Sequence, residues 1–412
     1  MNILIINTSD LNGGAAIAAH RLLNALKYSG VSVKMIVREK LSNDRDVLSI
    51  GNNLINKFSF YLERGEIFLY NGLSRSNLFD VSTAKRGITI TDTEEFKQAD
   101  VVHLHWVNQG MLSLNEVKKI LSSGKKVVWT MHDMWPFTGI CHYAGDCDLY
   151  INGCGNCPLL RYPSKYDLSR TTYRKKTSTY SKGEIIFVAC SKWLKEMAIK
   201  SPLTVGHHIT SIPNPIDTEV YRPLNKNEII NKLNLPSDKK IILFAAVKAS
   251  DKRKGLDYLI EASNILKNYS KEIVFLIAGN RSEEIENKFA LPVKTMGYVS
   301  PKDMPLLYNA ADLFVSPSLQ DNLPNTIMES MSCGTPCIGF NTGGIPQMID
   351  HQTNGYISEY QNSEDLANGI LWSLFNTDTN QLGLNARKKV IENYSNEIIA
   401  EQYIEIYKNA RG

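Results

Sequence analysis

The chain has 412 residues, more than one hydrophobic core usually organises, so its length predicts two domains. Its hydrophobic content of 43% and charged content of 21% are those of an ordinary soluble globular protein. The formal net charge of +4 is too small to indicate a nucleic-acid-binding protein, and no apolar run approaches the ~20 residues that span a bilayer. The first residues enter an apolar strand directly, so we expect no signal peptide and a cytoplasmic location.

The first half opens with a strand, a glycine turn and a helix. Residues 2–7 are apolar, Gly13 and Gly14 follow, and residues 15–28 have apolar side chains at helical spacing. This order is typical of a Rossmann-type domain, in which glycine lets the backbone approach a phosphate closely. A plain tight turn explains the glycine pair equally well. Further strands, apolar throughout as in a buried parallel sheet, are predicted at residues 31–38, 100–106 and 126–132.

Histidines stand near the ends of two of these strands. In a parallel sheet, functional groups lie at the carboxyl ends of the strands. His105 and His132 are therefore candidate site residues. For His103, which lies deeper in its strand, we expect a buried structural residue with satisfied hydrogen bonds.

Two segments of the first half combine apolar and basic residues. Residues 58–73 have aromatic and apolar side chains at helical spacing, which indicates either a core helix or an amphipathic element at a membrane or acceptor. Residues 161–182 hold seven basic residues and four tyrosines against one acid, Asp167. A solvated helix face would explain this charge. It would also attract anionic lipid headgroups, at ~1 kcal/mol per basic residue near a membrane, or an acceptor pyrophosphate.

Four of the seven cysteines lie in one short, glycine-rich loop. They are Cys141, Cys147, Cys154 and Cys157. In a reducing cytosol, four thiols at such spacing predict a structural zinc site that holds the loop without an open position for water. A redox-labile pair at Cys154 and Cys157, or simple free thiols, are the alternatives.

The second half repeats the alternation of strand and helix. A strand at 240–247 leads to a basic loop, 248–255, before a helix at 256–268. Cations at a helix entrance favour anion binding, and Lys254 is the last of them. A later strand at 312–315 leads to a polar loop and a helix from Pro324 or Asn325 to about Cys333. Asp321 lies in that loop and Glu329 in the helix, although Thr326 and Glu329 also fit a capping box that would only satisfy backbone donors.

Residues 316–339 resemble the signature of the family-four glycosyltransferases, retaining enzymes of the GT-B fold in which two Glu residues stand eight positions apart. Glu329 matches the second Glu, which holds the nucleotide ribose. Asp321 stands in place of the first, which lies by the donor sugar, and is one methylene shorter. The resemblance implies an α/β protein of two Rossmann-like domains facing a central cleft, at residues 1–210 and 211–394. It also implies that a C-terminal helix, 395–412, crosses back to the first domain.

The resemblance extends to further site residues. His132 is the histidine of a TMHD motif, which resembles one that lies beside the transferred sugar in similar enzymes, and Lys254 is the expected cation on the leaving diphosphate. Lys248 or Arg253 would supply the second cation. Together with His132 and Lys254, the expected catalytic residues are Asp321 and Glu329. The residues expected to bind the donor are Gly13, Gly14, Lys248, Arg253, Gly297, Asn322, Leu323, Asn325 and Thr326.

The implied activity is transfer of a hexose from a nucleotide-diphosphate sugar to a saccharide, with retained anomeric configuration and no metal needed for catalysis. The loop that holds the cysteines resembles those of bacterial enzymes of capsule, exopolysaccharide and lipopolysaccharide synthesis. We therefore expect a lipid-pyrophosphate-linked acceptor, peripheral contact with the anionic inner face of the cytoplasmic membrane, and no nucleic-acid partner. Two alternatives remain: a nucleotide-sugar epimerase of the same fold, and a sugar-binding scaffold without catalysis.

Overall fold

A computed structural model describes residues 1–50, 53–248 and 251–409. The side chains of residues 53–58 lie outside this description, and so do Ala249 and Ser250 of the predicted basic loop. Contacts divide the chain into two compact units, Met1–Pro215 with Ile399–Gly412, and Ile216–Ile398.

Strands and helices alternate along the described chain. The strands are β1 (Asn2–Ser9), β2 (Ser32–Glu39), β3 (Val47–Ser49), β4 (Val101–Leu104), β5 (Lys126–Met131), β6 (Ile186–Ala189), β7 (His208–Ser211), β8 (Lys240–Lys248), β9 (Ile273–Asn280), β10 (Val293–Gly297), β11 (Leu313–Ser316), β12 (Cys337–Phe340) and β13 (Gly355–Ser358). The α-helices are α1 (Gly14–Tyr28), α2 (Asn53–Tyr70), α3 (Glu94–Gln98), α4 (Leu114–Leu121), α5 (Leu168–Tyr180), α6 (Lys192–Ile199), α7 (Lys226–Lys232), α8 (Leu256–Ile265), α9 (Met304–Ala310), α10 (Asn325–Ser332), α11 (Ile345–Met348), α12 (Ser363–Phe375), α13 (Thr379–Tyr394) and α14 (Asn396–Asn409). Among the described residues, none of the helices has both the length and the apolar character that crossing a membrane requires.

The first unit is built on a parallel sheet. Its described strands run in the order β3-β2-β1-β4-β5-β6-β7. Both faces are covered, since Leu4 and Ile6 pack into one apolar cluster while Ile3 and Ile5 pack into another. Because both faces of the sheet are buried, the strands consist of nearly unbroken runs of apolar residues.

The last helix belongs to the core of the first unit. Ile399, Ala400, Tyr403 and Tyr407 of α14 are buried in the same cluster as Ile3 and Ile5. The C-terminal helix thus returns to the N-terminal sheet, as the resemblance implied.

The second unit contains a parallel sheet of its own. Its described strands run in the order β10-β9-β8-β11-β12-β13. Helices α8 and α12 pack on one face, where Leu259, Leu366 and Ile370 join the buried side chains of the strands. This unit is therefore also Rossmann-like.

In each sheet, strands are added first on one side of a starting strand and then on its other side. In the first unit, β1 is followed by β2 on one side, while β4 pairs with β1 on the other. In the second unit, β8 has β9 on one side and β11 on the other. The loops that leave two such neighbouring strands diverge and open a crevice at their carboxyl ends, where ligands of open α/β sheets bind. The candidate ligand-binding loops are therefore those that follow β1, β4, β8 and β11.

Strands β3, β7 and β13 were absent from the sequence-based prediction. Each has only three or four residues, and β3 and β13 lie in segments where turn-forming residues hide the short apolar pattern.

His103 connects β4 to two other elements of the first unit. Its ring nitrogens lie 2.7 Å from the Tyr407 hydroxyl and 2.7 Å from the Thr130 hydroxyl, and the side chain is fully buried. This confirms the expected structural role. Burial, with a smaller contribution from His132, lowers the pKa of His103 to about 3.

We expect the protein to lose stability as the pH falls from 7 toward 5, in part because of His103. The folded pKa lies below the ordinary value of 6.5, so the unfolded chain takes up the proton first and is favoured as acid is added. The slope for one such group approaches ~1.4 kcal/mol per pH unit between the two pKa values. Melting temperatures measured at several pH values should fall less steeply for His103→Gln, which keeps a polar side chain but cannot titrate. If the melting temperature fell equally with pH in the wild type and in His103→Gln, His103 would not contribute to the loss of stability in acid.

Candidate functional site

In the second unit, three loops meet at the carboxyl ends of β8, β11 and β12. The Leu319 N–H donates to the Arg253 carbonyl at 2.7 Å, which joins the loop after β11 to the loop after β8. The Thr342 hydroxyl donates to the Leu319 carbonyl at 3.4 Å and brings in the loop after β12. The loops are thus held together by hydrogen bonds to backbone carbonyls at the switch point of the sheet.

Two predicted catalytic residues touch each other at this point. The Lys254 ammonium donates to Asp321 Oδ2 at 2.6 Å. The Lys254 side chain is one-third exposed and that of Asp321 is 13% exposed, so the pair is sheltered but reachable from solvent. The sequence predicted both residues but not this contact, because they lie in loops after different strands. The structure therefore places a cation at Asp321, in the loop that leads into α10 at Asn325.

Helix α10 begins without a side-chain cap. Pro324 is the N-cap residue and provides no side-chain acceptor for the first N–H groups, which belong to Asn325 and Thr326. Thr326 lies inside the helix, so the alternative of a capping box between Thr326 and Glu329 is wrong. Backbone N–H groups and the helix dipole favour negative charge at this end.

Glu329 lies about one turn further along α10. Its side chain is buried, and Oε2 accepts a hydrogen bond from the Tyr308 hydroxyl at 2.8 Å. Burial, followed by the nearby Glu329, raises the pKa of Tyr308 well above its usual value, so the phenol stays protonated and donates. Tyr308 was missed by the sequence analysis, because nothing in helix α9 links that tyrosine to α10. It holds the Glu329 carboxylate in one orientation.

The other residues predicted to bind the donor take different positions in the second unit. Lys248 ends β8 and is exposed, whereas Arg253 is exposed and forms an ion pair with Asp251 at 2.8 Å. Asn322 and Leu323 are buried in the loop that leads into α10. Gly297 ends β10 with a φ of +59°, two strands away from the switch point. Lys254, by contrast, contacts Asp321.

Gly343 is a site residue that the sequence analysis missed. Its φ is +56°, and a Cβ at this position would lie 1.8 Å from the Asp321 carbonyl oxygen. The only sequence signal was a glycine pair at a turn, which is too common to be specific. The backbone of the loop after β12 thus supports the loop that carries Asp321.

We expect Gly343→Ala to lower both stability and activity, because the added methyl group must displace the Asp321 loop. Gly334→Ala is the matched control, since its φ of +79° imposes similar strain and its Cβ would meet only Pro223 at 3.4 Å. A left-handed conformation costs about 1–2 kcal/mol for a residue with a Cβ, so both variants should melt earlier. Only Gly343→Ala should also lose turnover well beyond its loss of folded protein. Equal activities in the two variants would show that the close approach has no role at the site.

In the first unit, the predicted residues gather at the carboxyl ends of β1, β4 and β5. Gly13 is the N-cap of α1 with a φ of +96°, Gly14 is the first helical residue, and both are exposed. His132 follows β5 directly, and its Nε2 lies 2.9 Å from His105 Nδ1, at the end of β4. Its Nδ1 lies 3.5 Å from the Cys190 sulfur. The first unit therefore brings the two predicted histidines together.

Burial keeps these two imidazoles neutral. It lowers the pKa of His132 to about 4, and it lowers the pKa of His105 well below 6.5, with His103 and His132 adding to the effect. A neutral imidazole can donate through one nitrogen and accept through the other. The pair is thus not a source of positive charge at neutral pH.

The predicted zinc site is not supported. Within the described residues, no three His, Cys, Asp or Glu side chains are grouped so that they could hold a metal ion. Burial raises the pKa of Cys141 and Cys157 to about 12 and that of Cys154 to about 11. All seven cysteines, including Cys147, are free, as in the simplest of the alternatives.

Other contacts hold the cysteine loop in place. The Cys157 N–H donates to Asp167 at 2.8 Å, and the buried Lys176 ammonium donates to the Thr138 carbonyl at 3.0 Å. Lys176 also lies over the Trp135 ring. Lys176 had been counted with the basic face of residues 161–182, whereas it is a buried structural residue.

The chain is similar in sequence and in fold to known glycosyltransferases. An uncharacterized glycosyltransferase of Methanocaldococcus jannaschii is 28% identical over 78% of this chain and 86% of that protein. The UDP-Gal:alpha-D-GlcNAc-diphosphoundecaprenol alpha-1,3-galactosyltransferase of Escherichia coli is 26% identical, over 55% of this chain and 62% of its own length. The crystal structure of the Anabaena protein HepE in complex with UDP-glucose covers 99% of both chains, with a TM-score of 0.65 and 16% identity.

The full-length structural likeness and the two parallel sheets confirm the predicted GT-B fold. Two family models match the sequence itself. The model of Glycosyl transferases group 1 matches residues 225–395, and the model of Glycosyltransferase Family 4 matches residues 12–220, which is half of the chain. The chain therefore belongs to glycosyltransferase family 4.

Proposed function

We propose that this glycosyltransferase moves a hexose from a nucleotide-diphosphate sugar to a saccharide acceptor, with retention of anomeric configuration and without a catalytic metal. The acceptor is a lipid-pyrophosphate-linked saccharide of bacterial surface polysaccharide synthesis. The reaction takes place at the inner face of the cytoplasmic membrane, which the protein contacts peripherally.

The observation that carries this proposal is the contact of Lys254 with Asp321 beside the start of α10. A diphosphate needs positive charge, and it finds here an ammonium group and a helix N-terminus. Glu329, held by Tyr308, supplies a carboxylate that accepts hydrogen bonds from two ribose hydroxyl groups. These groups match the three parts of a nucleotide-diphosphate sugar. Lys254 and the start of α10 would bind the diphosphate, Glu329 would bind the ribose, and Asp321 would lie by the sugar.

The proposed chemical step transfers the hexose from the diphosphate to the acceptor oxygen. The bond between the anomeric carbon and the diphosphate oxygen breaks, and that carbon gains oxocarbenium character. The bonding electrons go to the phosphate, where Lys254 and the N–H groups of Asn325 and Thr326 stabilise the new charge. The acceptor oxygen bonds to the anomeric carbon on the face that the phosphate leaves, and a phosphate oxygen takes the acceptor proton. The products are the extended saccharide and a nucleoside diphosphate.

The first unit contributes groups that suit sugars. His132, neutral and paired with His105, would contact the hexose that is transferred. Gly13 and Gly14 offer exposed backbone at the start of α1, to the donor diphosphate or to the acceptor. The Escherichia coli relative, a transferase from UDP-Gal to a diphosphoundecaprenol-linked sugar, supports a lipid-linked acceptor.

The test is transfer by the purified protein. Nucleotide release is measured across UDP-, GDP- and dTDP-hexoses, first with water alone and then with lipid-pyrophosphate-linked sugars as acceptors. The proposal predicts release from one donor class, stimulated by one acceptor, and an α-linked product from an α-linked donor by NMR. An inverted product, or turnover that requires added divalent metal, would contradict the proposed mechanism.

The two alternatives make different predictions in the same experiment. An epimerase converts one nucleotide sugar to another without adding it to any acceptor. A scaffold without catalysis binds the donors but releases no nucleotide with any acceptor. Either result would replace the proposed transfer.

A further inference from the structure

We propose that Trp106 is the aromatic residue on which the acceptor saccharide stacks, and that Asp133 and His142 hold its indole ring in place. The inference rests on the proposed glycosyl transfer and assigns a part of the acceptor site to the first unit. In this assignment Trp106 binds the sugar. Asp133 and His142 are positioning residues, because they act on the sugar only through the orientation of the indole ring.

The backbone of Trp106 is fixed at the switch point of the first sheet. Trp106 follows β4, and its N–H donates to the Asn7 side chain at 2.8 Å. Its carbonyl accepts from the Thr8 N–H at 2.9 Å. Asn7 and Thr8 belong to β1, so these bonds hold Trp106 between the two neighbouring strands whose loops diverge. Open α/β sheets bind their ligands at such a position.

Trp106 is also the residue of this strand end that reaches solvent. From Val101 to Asn108 every other residue is buried, whereas Trp106 is half-buried. Trp129 and Trp135, elsewhere in the first unit, are fully buried core residues. Binding sites for small molecules are lined largely by apolar and aromatic side chains with a few fixed polar groups. A half-covered indole ring at the switch point fits that description.

The indole ring is held by the carboxylate of Asp133. Trp106 Nε1 donates to Asp133 Oδ2 at 2.7 Å, and the same oxygen accepts from His142 Nδ1 at 2.7 Å. Asp133 Oδ1 accepts from the Trp135 N–H at 2.9 Å. Burial alone would raise the pKa of Asp133, but His142 and the N–H donors lower it, so the carboxylate stays charged. Because hydrogen bonds to a charged acceptor are the stronger ones, the ring is firmly oriented.

His142 is fixed on its other side as well. Its Nε2 lies 3.2 Å from the Ser82 hydroxyl, which accepts from the Arg64 guanidinium at 3.3 Å. Arg64 pairs with Glu63 at 3.1 Å, and all four of these side chains are buried. The His142 ring also packs on Trp106, with ring centres 5.4 Å apart. A buried chain of polar groups therefore leads from helix α2 to the indole ring and restricts its motion.

The groups around Trp106 fit an uncharged sugar ring better than an anion. The charge of Asp133 is shared by three N–H donors, and His105 and His132 are neutral because burial lowers their pKa values. The face of an aromatic ring carries negative potential, which attracts the C–H groups on the face of a hexose. Trp106 thus offers a stacking surface to a saccharide without attracting a phosphate.

The first test is saccharide binding in the absence of donor. Methyl glycosides of glucose, galactose and N-acetylglucosamine are added to the full-length protein, and saturation-transfer difference NMR reports their affinities. We expect at least one sugar to bind the wild type and to bind Trp106→Leu about 10-fold more weakly, because the aromatic face is lost. Trp372→Leu is the matched control, since Trp372 is a half-buried tryptophan of the second unit that packs on Tyr356. Equal affinities in Trp106→Leu and the wild type, or no binding of any of these sugars to the wild type, would overturn the proposal.

Kinetics then connect Trp106 to the transfer. With the donor and acceptor that the wild type uses, Trp106→Leu should raise the acceptor KM by about 10-fold, while the donor KM changes by less than about threefold. Trp106→Phe keeps an aromatic face and should lie between the two. An unchanged acceptor KM in Trp106→Leu would refute this inference and leave the proposed transfer intact. If the wild type transfers no sugar but its saccharide binding still depends on Trp106, the proposed transfer fails and the stacking role stands.

His142 tests whether the indole ring must be held. His142→Ala removes a donor to Asp133 and should raise the acceptor KM by about threefold to tenfold. His142→Asn, whose amide can donate from near the position of Nδ1, should restore most of that loss. The indole N–H signal of Trp106, identified by its absence in Trp106→Phe, should shift in His142→Ala and return toward its original position in His142→Asn. A lower melting temperature in His142→Ala with an unchanged acceptor KM would show a purely structural role and overturn the positioning role.

Discussion

Replacing Lys254 by Met is expected to slow donor turnover by about 10²–10³-fold, the usual cost of removing one preorganised group that stabilises developing negative charge. The ammonium group lies 2.6 Å from Asp321 beside the start of α10, where the proposed diphosphate leaves. Met keeps most of the side-chain volume but carries no charge. The loss should appear mainly in kcat, because charge on the phosphate is greatest after the glycosidic bond begins to break. Steady-state rates of nucleotide release measure this directly.

The partner of Lys254 supplies the control. Asp321→Asn removes the carboxylate but keeps the ammonium group, so it should leave diphosphate stabilisation in place and affect the sugar instead. The double variant, Lys254→Met with Asp321→Asn, then distinguishes two possible roles of Lys254. If Lys254 acts only by holding Asp321, then Lys254→Met adds nothing once Asp321 is Asn. If it acts on the phosphate, the double variant is slower than Asp321→Asn alone. A kcat for Lys254→Met within threefold of the wild type would refute the phosphate role.

The sequence was sufficient to predict the two Rossmann-like units because parallel strands buried on both faces produce apolar runs that alternate with helices. It also located the loops after β1, β5, β8 and β11 correctly, since these follow directly from strand ends. Contacts between loops could not be predicted. The ion pair of Lys254 with Asp321 spans 67 positions in the chain. Gly343 reaches Asp321 only because β12 lies beside β11.

The cysteine loop shows where spacing alone is misleading. Four thiols in one short segment are compatible with a zinc site, but metal binding also requires that their sulfur atoms point toward a common centre. In the structure that loop is held instead by Asp167 and by the buried Lys176. Neither residue was distinguishable in the sequence from an ordinary charge on a solvated helix. Side-chain direction, which depends on packing, was the missing information.

Replacing Glu329 by Gln is expected to weaken donor binding by about 100-fold, with a much smaller change in kcat. A hydrogen bond to a charged group contributes about 1.5–3 kcal/mol, and the carboxylate is proposed to accept two from the ribose. The amide of Gln has one acceptor oxygen, and its NH₂ group would oppose a ribose hydroxyl. Binding of the nucleoside diphosphate alone, measured by calorimetry, should show nearly the whole loss because the ribose is present without the sugar.

Tyr308→Phe distinguishes this role of Glu329 from a purely structural one. The hydroxyl of Tyr308 donates to Glu329 Oε2 in a fully buried position, so its removal should cost about 1–3 kcal/mol of stability by leaving the carboxylate with one partner fewer. If Glu329 binds ribose, Glu329→Gln loses affinity far beyond any loss shared with Tyr308→Phe. If Glu329 serves only to anchor α9 on α10, both variants melt earlier and both still bind the nucleotide with wild-type affinity. The second pattern would remove Glu329 from the donor site and leave Lys254, Asp321 and the helix start as its remaining determinants.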